Sequence, residues 1–153
     1  MTDPARAPVR TSARVLLLDA SDRVLLFRGG DPANPAAGTW WFTPGGGVDA
    51  GESLVEGAAR ELFEETGLRC STADLGNPVH DEQSEFDFAG RRFNQHSTFF
   101  VLRVDAHEVD TSGFEALEAS SIVEHRWWGR EELRATSEII YPRDLGSLLD
   151  RVA

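Results

Sequence analysis

Residues 53–67 carry the beginning, the end and an unusual charged face of one helix. Ser53-Leu-Val-Glu56 has the form of a capping box, which predicts that the helix begins at Ser53. Gly67 is typical of the position just beyond a helix C-terminus. Between these ends, three acids at i, i+3 and i+4 share one face; they are Glu61, Glu64 and Glu65. The acids repel one another, and the last two precede a helix end that disfavours negative charge, so this pattern indicates a functional site.

A divalent metal is the simplest partner for these carboxylates. The helix contains no His or Cys, and an all-oxygen donor set favours Mg²⁺, with Mn²⁺ as a substitute and Ca²⁺ as a competitor, over zinc. Mg²⁺ commonly takes one or two carboxylates and completes its shell with water and phosphate oxygens. The alternative is a solvated acidic face held by ion pairs such as Glu56 with Arg60, which have the favourable i, i+4 order.

The segment before the helix favours the metal interpretation. Residues 43–47 read Thr-Pro-Gly-Gly-Gly, a turn whose glycines let the backbone approach a ligand closely. Leu54, Ala58 and Leu62, with Val55 and Ala59, give the helix a stripe to bury. A glycine-rich loop therefore leads into a helix whose other face carries the acids, and the loop carbonyls and amides can lie beside a metal.

Together these features resemble the signature of the Nudix hydrolases, Gly-x5-Glu-x7-Arg-Glu-U-x-Glu-Glu-x-Gly-U, where U is aliphatic. We call the segment from Gly46 to Leu68 the box. The chain matches every fixed position, which are Gly46, Glu52, Arg60, Glu61, Leu62, Glu64, Glu65, Gly67 and Leu68. The resemblance implies an α/β fold in the broad sense (α+β), with an α/β/α sandwich around a mixed, largely antiparallel sheet. It also implies a pyrophosphatase that hydrolyses a diphosphate linkage in a nucleoside diphosphate derivative.

The resemblance also assigns roles to individual box residues. It implies that Glu61, Glu64, Glu65 and the carbonyl of Gly46 bind the metal. Arg60 is expected to orient the carboxylates, Glu52 among them, although Glu52 as a purely structural ion-pair partner is the alternative. The general base stays open between Glu61 in the box and an acid on a distant loop. The loop candidates are Glu115, Glu118 and Glu124.

Substrate contacts lie outside the box, and the sequence indicates them only by residue type. Aromatic side chains at Trp40 and Phe93 could stack on a base, as could Trp41 and Phe42. Arg28 could meet a phosphate, as could the pair 91–92. Gln95 and His96 could read a base edge. The substrate contacts we predict are Arg28, Trp40, Phe93, Gln95 and Glu118; for each, a role in the core or on the surface is the alternative.

Other readings are weaker. Gly45-x-Gly47-x-x-Ala50 resembles a dinucleotide fingerprint, but no clear βαβ unit surrounds it. Gly46-x4-Gly51 is followed by Glu52, where a P-loop needs Gly-Lys-Ser/Thr. No marker of a Nudix subfamily stands out, so a nucleoside triphosphate or nucleotide-sugar substrate is inferred by elimination. A Nudix-fold binding or regulatory module without turnover is the second functional hypothesis.

Composition bounds the partners. A formal net charge of −11 over 153 residues argues against a nucleic-acid surface, and no apolar run is long enough to span a membrane. The single Cys70 fits a reducing compartment, so a cytoplasmic location is expected. Residues 1–12 are predicted as a flexible leader and 13–153 as one domain. Many relatives form homodimers, although no interface is evident in the sequence.

Along the chain, hydrophobic alternation and turn residues predict a mixed order of strands and helices. Besides the box helix, the predicted helices span 130–136 and 142–152. The predicted strands span 14–19, 24–28, 40–43, 74–88, 91–104 and 122–128. An acidic loop is expected over 105–120.

Overall fold

The computed structural model describes residues 9–114, 119 and 121–152. In this part of the chain, eight strands form one mixed sheet. The strands are β1 (Val9–Leu18), β2 (Val24–Gly30), β3 (Thr39–Phe42), β4 (Gly45–Gly47), β5 (His80–Phe88), β6 (Arg91–Arg103), β7 (Ile122–Trp128) and β8 (Ile140–Tyr141). Around them lie α1 (Leu54–Thr66), α2 (Thr72–Leu75), α3 (Arg130–Ala135) and α4 (Leu145–Val152), with a 3₁₀ turn at Pro35–Ala37.

The sheet order is β5-β6-β1-β2-β3-β8, with β4 paired to β1 and β7 paired to β2. Only the β1–β6 and β3–β8 pairs are parallel, and the remaining pairs are antiparallel. β1 and β2 share the pair Leu18–Val24, after which β1 pairs with β4 and β2 pairs with β3. β1 and β2 therefore separate beyond Leu18–Val24, and the glycine-rich strand β4 pairs with β1 on the side where they separate.

Alternating side chains of β1 explain why helices lie on both faces of the sheet. Val15 and Leu17 are fully buried in the layer that also contains Ala58 and Leu62 of α1. Leu16 and Leu18 point the other way, into the layer that contains α4. A strand that is apolar on both faces must be covered on both faces. The predicted α/β/α sandwich around a mixed, largely antiparallel sheet is confirmed.

The predicted helix over residues 53–67 has the expected ends. The Ser53 side chain accepts a hydrogen bond from the Glu56 N–H, and the Glu56 carboxylate accepts one from the Ser53 N–H. Gly67 adopts φ = 75° and donates its N–H to the Phe63 carbonyl. Glu56 thus serves the helix N-terminus, while Arg60, its expected ion-pair partner, contacts other acids.

Several predicted boundaries were wrong. The helix predicted over 142–152 begins at Leu145, and Gly45–Gly47 of the predicted turn form strand β4. The two largest differences are in strands. The strand predicted over 74–88 begins at His80, because Ser71 and Asp74 form a second capping box that starts α2, and Gly76 follows as its C-cap. The first strand, predicted over 14–19, begins earlier, at Val9, because residues 9–12 pair with β6. Local sequence does not encode that pairing, since the two strands are about 85 positions apart.

The acidic loop predicted over 105–120 lies partly outside the described residues, including Glu115 and Glu118. Among the described residues, no helix is long and apolar enough to cross a membrane.

Candidate metal and substrate site

Arg60 is the centre of the box. Its Nε and Nη2 atoms donate to the two carboxylate oxygens of Glu52 at 2.9 and 3.0 Å, and Nη2 also donates to the Gly47 carbonyl at 2.9 Å. Asp49 adds an ion pair at 3.3 Å. One side chain on α1 therefore ties the helix to the loop that precedes it, in the fork geometry that arginine favours for carboxylates.

The contacts between Arg60 and Glu52 shift the pKa of both groups. Hydrogen bonds from Arg60, with a further one from the Asp49 N–H, hold the pKa of Glu52 below its ordinary value although burial opposes the shift. Conversely, Glu52 first and then Glu61 and Glu64 raise the pKa of Arg60 above its already high ordinary value. Both groups are therefore charged at neutral pH.

Glu61 and Glu64 converge on one point. The Arg60 Nη1 atom lies 3.1 Å from Glu61 Oε1 and 3.3 Å from each carboxylate oxygen of Glu64. Glu61 is 8% exposed, so its carboxylate is largely withdrawn from water. Two carboxylates on adjacent turns thus share a single cationic group, which is the arrangement that a metal ion would also use.

Glu65 has a different environment. It is 1% exposed, and its Oε1 accepts the Gly45 N–H at 2.7 Å. Its carboxylate therefore joins α1 to the start of β4. In the part of the chain that the structure describes, no three His, Cys, Asp or Glu side chains already stand together as a ready-made metal cage.

Gly46 lies against the Glu61 carboxylate. A Cβ atom added at Gly46 would be 2.7 Å from Glu61 Oε1, so no side chain fits between them. At the preceding Gly45, which has φ = 147°, an added Cβ would collide with the Ala13 carbonyl oxygen. A different neighbour therefore leaves no room for a side chain at each of these two positions of β4, and only Gly46 lies against an acid of α1.

These residues fit a hard divalent cation. Three oxygen atoms from two carboxylates already surround one positively charged group, the Gly46 backbone lies next to them, and the donor set is entirely oxygen. For a metal to bind, the Arg60 guanidinium must move away from Glu61 and Glu64, while its contacts with Glu52 and Gly47 can persist.

The predicted substrate contacts fall into two groups. Arg28 and Trp40 lie on β2 and β3: Arg28 forms an ion pair with Glu124 at 3.1 Å and donates to the Thr39 hydroxyl at 3.1 Å, while Trp40 is half-buried with its ring centroid 6.5 Å from that of Tyr141. The Arg28 contact also occupies Glu124, which was considered as a general base on a distant loop but lies on strand β7, next to Arg28 of β2.

Phe93 and Gln95 lie together on β6, apart from the first group. The ring of Phe93 stacks on that of Phe86, with centroids 5.4 Å apart. Gln95 is buried and its Nε2 atom donates to the Ser97 hydroxyl at 3.2 Å, so it already has an internal partner. Glu118 and Glu115 lie outside the described residues.

Two neighbours of the site, and one residue that anchors the β5–β6 hairpin, did not emerge from the sequence. Asp49 contacts Arg60. Arg10 lies against Gly47, where an added Cβ would be 2.8 Å from its Nη2 atom. Asp31 is buried and accepts the Ala89 N–H at 2.9 Å, which ties the β5–β6 turn to the loop after β2. Only Asp49 had a local signal, since it precedes Glu52 by three positions; Arg10 and Asp31 depend on strand pairing.

Comparison with known proteins identifies the class. A family model described as "NUDIX domain" matches residues 8–145. The chain therefore belongs to the Nudix family, as the box indicated, and the predicted enzyme class, a Nudix-type pyrophosphatase, is confirmed at that level.

Individual relatives agree. The chain is 29% identical over 140 residues to an RNA pyrophosphohydrolase of Novosphingobium aromaticivorans, an alignment covering 84% of this chain and 83% of that protein. A MutT protein from Methanosarcina mazei Go1 aligns with a TM-score of 0.70 and 27% identity over 95% of both chains. A MutT NUDIX hydrolase from Burkholderia pseudomallei, at 18% identity and TM-score 0.63, covers 96% of this chain and all of that one and supports the fold.

Proposed function

We propose that this protein hydrolyses a diphosphate linkage in a nucleoside diphosphate derivative, with Mg²⁺ as its metal and Mn²⁺ as a substitute. The observation that carries the proposal is the convergence of Glu61 and Glu64 on one cation beside the Gly46 backbone. A bound metal would neutralise the phosphate charge and lower the pKa of the attacking water. Such a metal also explains how a chain with a net charge of −11 accepts a polyphosphate.

The contacts support the residue roles that the resemblance implies. Glu61, Glu64 and the Gly46 carbonyl would hold the metal, with Glu65 as a further ligand. The Glu65 carboxylate also accepts the backbone N–H of Gly45. Arg60 and Glu52 position the carboxylates, because Arg60 bridges Glu52, Glu64 and the loop. Glu61, largely shielded from water, is the candidate general base that accepts the proton of the attacking water.

Two substrate classes compete. A nucleoside triphosphate or nucleotide-sugar is the one inferred by elimination, because no subfamily marker stands out in the sequence. The 5′ end of an RNA is the second, favoured by the relatives named RNA pyrophosphohydrolase, which align over most of both chains. The net charge that argued against nucleic acid does not exclude a short 5′ end, because such a substrate needs only local positive charge. A cytoplasmic location is expected for either class.

The test is a substrate panel with Mg²⁺ and products separated by chromatography. It contains nucleoside triphosphates, ADP-ribose, nucleotide-sugars, dinucleoside polyphosphates, NADH and 5′-triphosphorylated RNA. We expect one class to be cleaved well above the rest, activity to disappear with chelator, and Mg²⁺ or Mn²⁺ but not Zn²⁺ to restore it. Metal binding without turnover on any substrate would support the binding-module hypothesis instead.

A further inference from the structure

A cluster of two arginines and two aromatic rings lies next to the box, where the β5–β6 hairpin passes β1. The Phe86 and Phe93 rings are stacked, with centroids 5.4 Å apart and planes inclined by 19°. The guanidinium carbons of Arg10 and Arg91 each lie 5.4 Å from the Phe93 centroid. Both rings are half-buried and both arginines are exposed, so the arginines and part of each ring are accessible to solvent.

Arg10 and Arg91 belong to the minority of described arginines that form no ion pair with a described carboxylate. Most described arginines pair with a carboxylate, including Arg92 of the same hairpin, which contacts Glu85 and Asp87. Neither Arg10 nor Arg91 forms an ion pair with a carboxylate of the described residues. In a protein with 26 acidic residues, two such cations around one ring constitute a local positive site.

The cluster is continuous with the metal site. The Arg10 guanidinium packs against Gly47, whose carbonyl accepts a hydrogen bond from Arg60 at 2.9 Å. The tip of the hairpin is held in place by Asp31, whose carboxylate accepts the Ala89 N–H at 2.9 Å. Ala89 and Gly90 both have positive φ, at 53° and 76°, as a two-residue hairpin turn requires. The hairpin that carries the rings is therefore anchored at its tip, and Arg10 lies beside the box.

We propose that Arg10, Arg91, Phe86 and Phe93 form a nucleotide subsite in which the aromatic pair stacks on a base and the arginines bind its phosphate. Aromatic side chains that stack on a base, together with arginines that bind phosphate, commonly hold nucleotides without distinguishing one base from another. This inference rests on the proposed function, since the ligand is part of the substrate cleaved at the box. The nucleotide is either the nucleoside end of a free nucleotide or the residue that follows the 5′ end of an RNA.

The experiment compares Arg91→Gln and Phe93→Leu with wild type. KM and kcat are measured with Mg²⁺ on GTP and on a 5′-triphosphorylated RNA pentamer. Dissociation constants for both are measured calorimetrically with Ca²⁺ in place of Mg²⁺, which reports binding whether or not turnover occurs. Arg69→Gln is the matched control, because Arg69 also stacks on an exposed phenylalanine, Phe63, at 4.1 Å but outside the hairpin.

Loss of one stacked base or its phosphate contact should raise KM and the dissociation constant about tenfold with kcat unchanged, and Arg69→Gln should change neither. An effect on both ligands assigns the subsite to the nucleoside of the substrate; an effect on the pentamer alone assigns it to the next nucleotide. Unchanged KM and affinity on every ligand would overturn the subsite.

Two further readouts separate the possible failures. A wild type that binds GTP or the pentamer but cleaves nothing in the full substrate panel, with binding weakened in the variants, would refute the proposed hydrolysis and keep the subsite. Phe93→Leu also removes the stack on Phe86 and is expected to lower Tm by a few degrees. Arg91→Gln, at an exposed position, should leave Tm unchanged, so a change in its KM or affinity cannot come from unfolding.

Discussion

Two groups of acids in this protein contrast sharply. The box brings Glu52, Glu61 and Glu64 around one arginine, with backbone groups of a neighbouring loop among the partners. Strand β5 carries four acids, yet their side chains are spread along an exposed edge strand. Pairs such as Arg92–Glu85 and His96–Asp81 are 3.5 Å apart and open to solvent. Acid count is therefore a poor guide to a site; convergence and burial distinguish the two regions.

The edge position explains the second group. β5 ends the sheet, so one side of it has no strand partner among the described residues. Charged side chains on such a strand discourage association with other strands. Exposed ion pairs of this kind contribute about 0 to 1 kcal/mol each to the free energy of unfolding. Their main effect is therefore to prevent other strands from pairing with this edge.

The largest expected difference between the two groups is in catalysis. Glu64→Gln should lower kcat by several orders of magnitude while the fold persists, because it removes one of the two carboxylates that converge on the Arg60 position. Glu85→Gln on β5 should leave kcat within twofold of wild type. Turnover is measured on the substrate that the panel identifies, with circular dichroism as the check on folding. A near-native rate for Glu64→Gln would refute its role as a metal ligand.

A smaller difference is expected in stability with metal. Mg²⁺ at about one hundred times its dissociation constant should stabilise the folded state by about 2.7 kcal/mol, which raises Tm by about 5 to 10 °C for a chain of this size. The metal relieves repulsion between Glu61 and Glu64, so Glu85→Gln should keep the rise and Glu64→Gln should lose most of it. Thermal unfolding with and without Mg²⁺ measures these shifts in Tm. A wild-type Tm that does not change at saturating Mg²⁺ would argue against a metal site at the box.

The smallest effect concerns pH. Because the folded-state pKa of Glu52 lies below its ordinary value of 4.5, its ionisation stabilises the fold above that value, and this contribution is lost as pH falls through the folded pKa. Glu52→Gln should lower the free energy of unfolding at pH 7 by about 1 kcal/mol and flatten its decline below pH about 4.5. Urea unfolding from pH 7 to 3 measures both; parallel profiles for variant and wild type would contradict the Arg60–Glu52 assignment.

Prediction from sequence succeeded where the interactions are local. The ends of α1 follow from Ser53, Glu56 and Gly67, whose partners are three or four positions away. The strand predicted beside the turn at residues 20–22 is part of β1, and the box identified the family. Local rules also govern residues 72–75, where Ser71 and Asp74 cap α2, so the strand predicted over 74–88 is wrong at its start.

The amino-acid sequence by itself determined the α1 helix, the spacing of its acids and the glycines that precede them, because helix caps and i, i+4 geometry act within a few residues. Only the tertiary structure decided what those acids contact. Parallel pairing of β1 with β6 and antiparallel pairing of β1 with β4 bring Gly46 against Glu61, Glu65 against Gly45, and Arg10 beside Gly47 and Phe93. Strand register depends on which faces the whole sheet can bury, and residues distant in sequence settle that together.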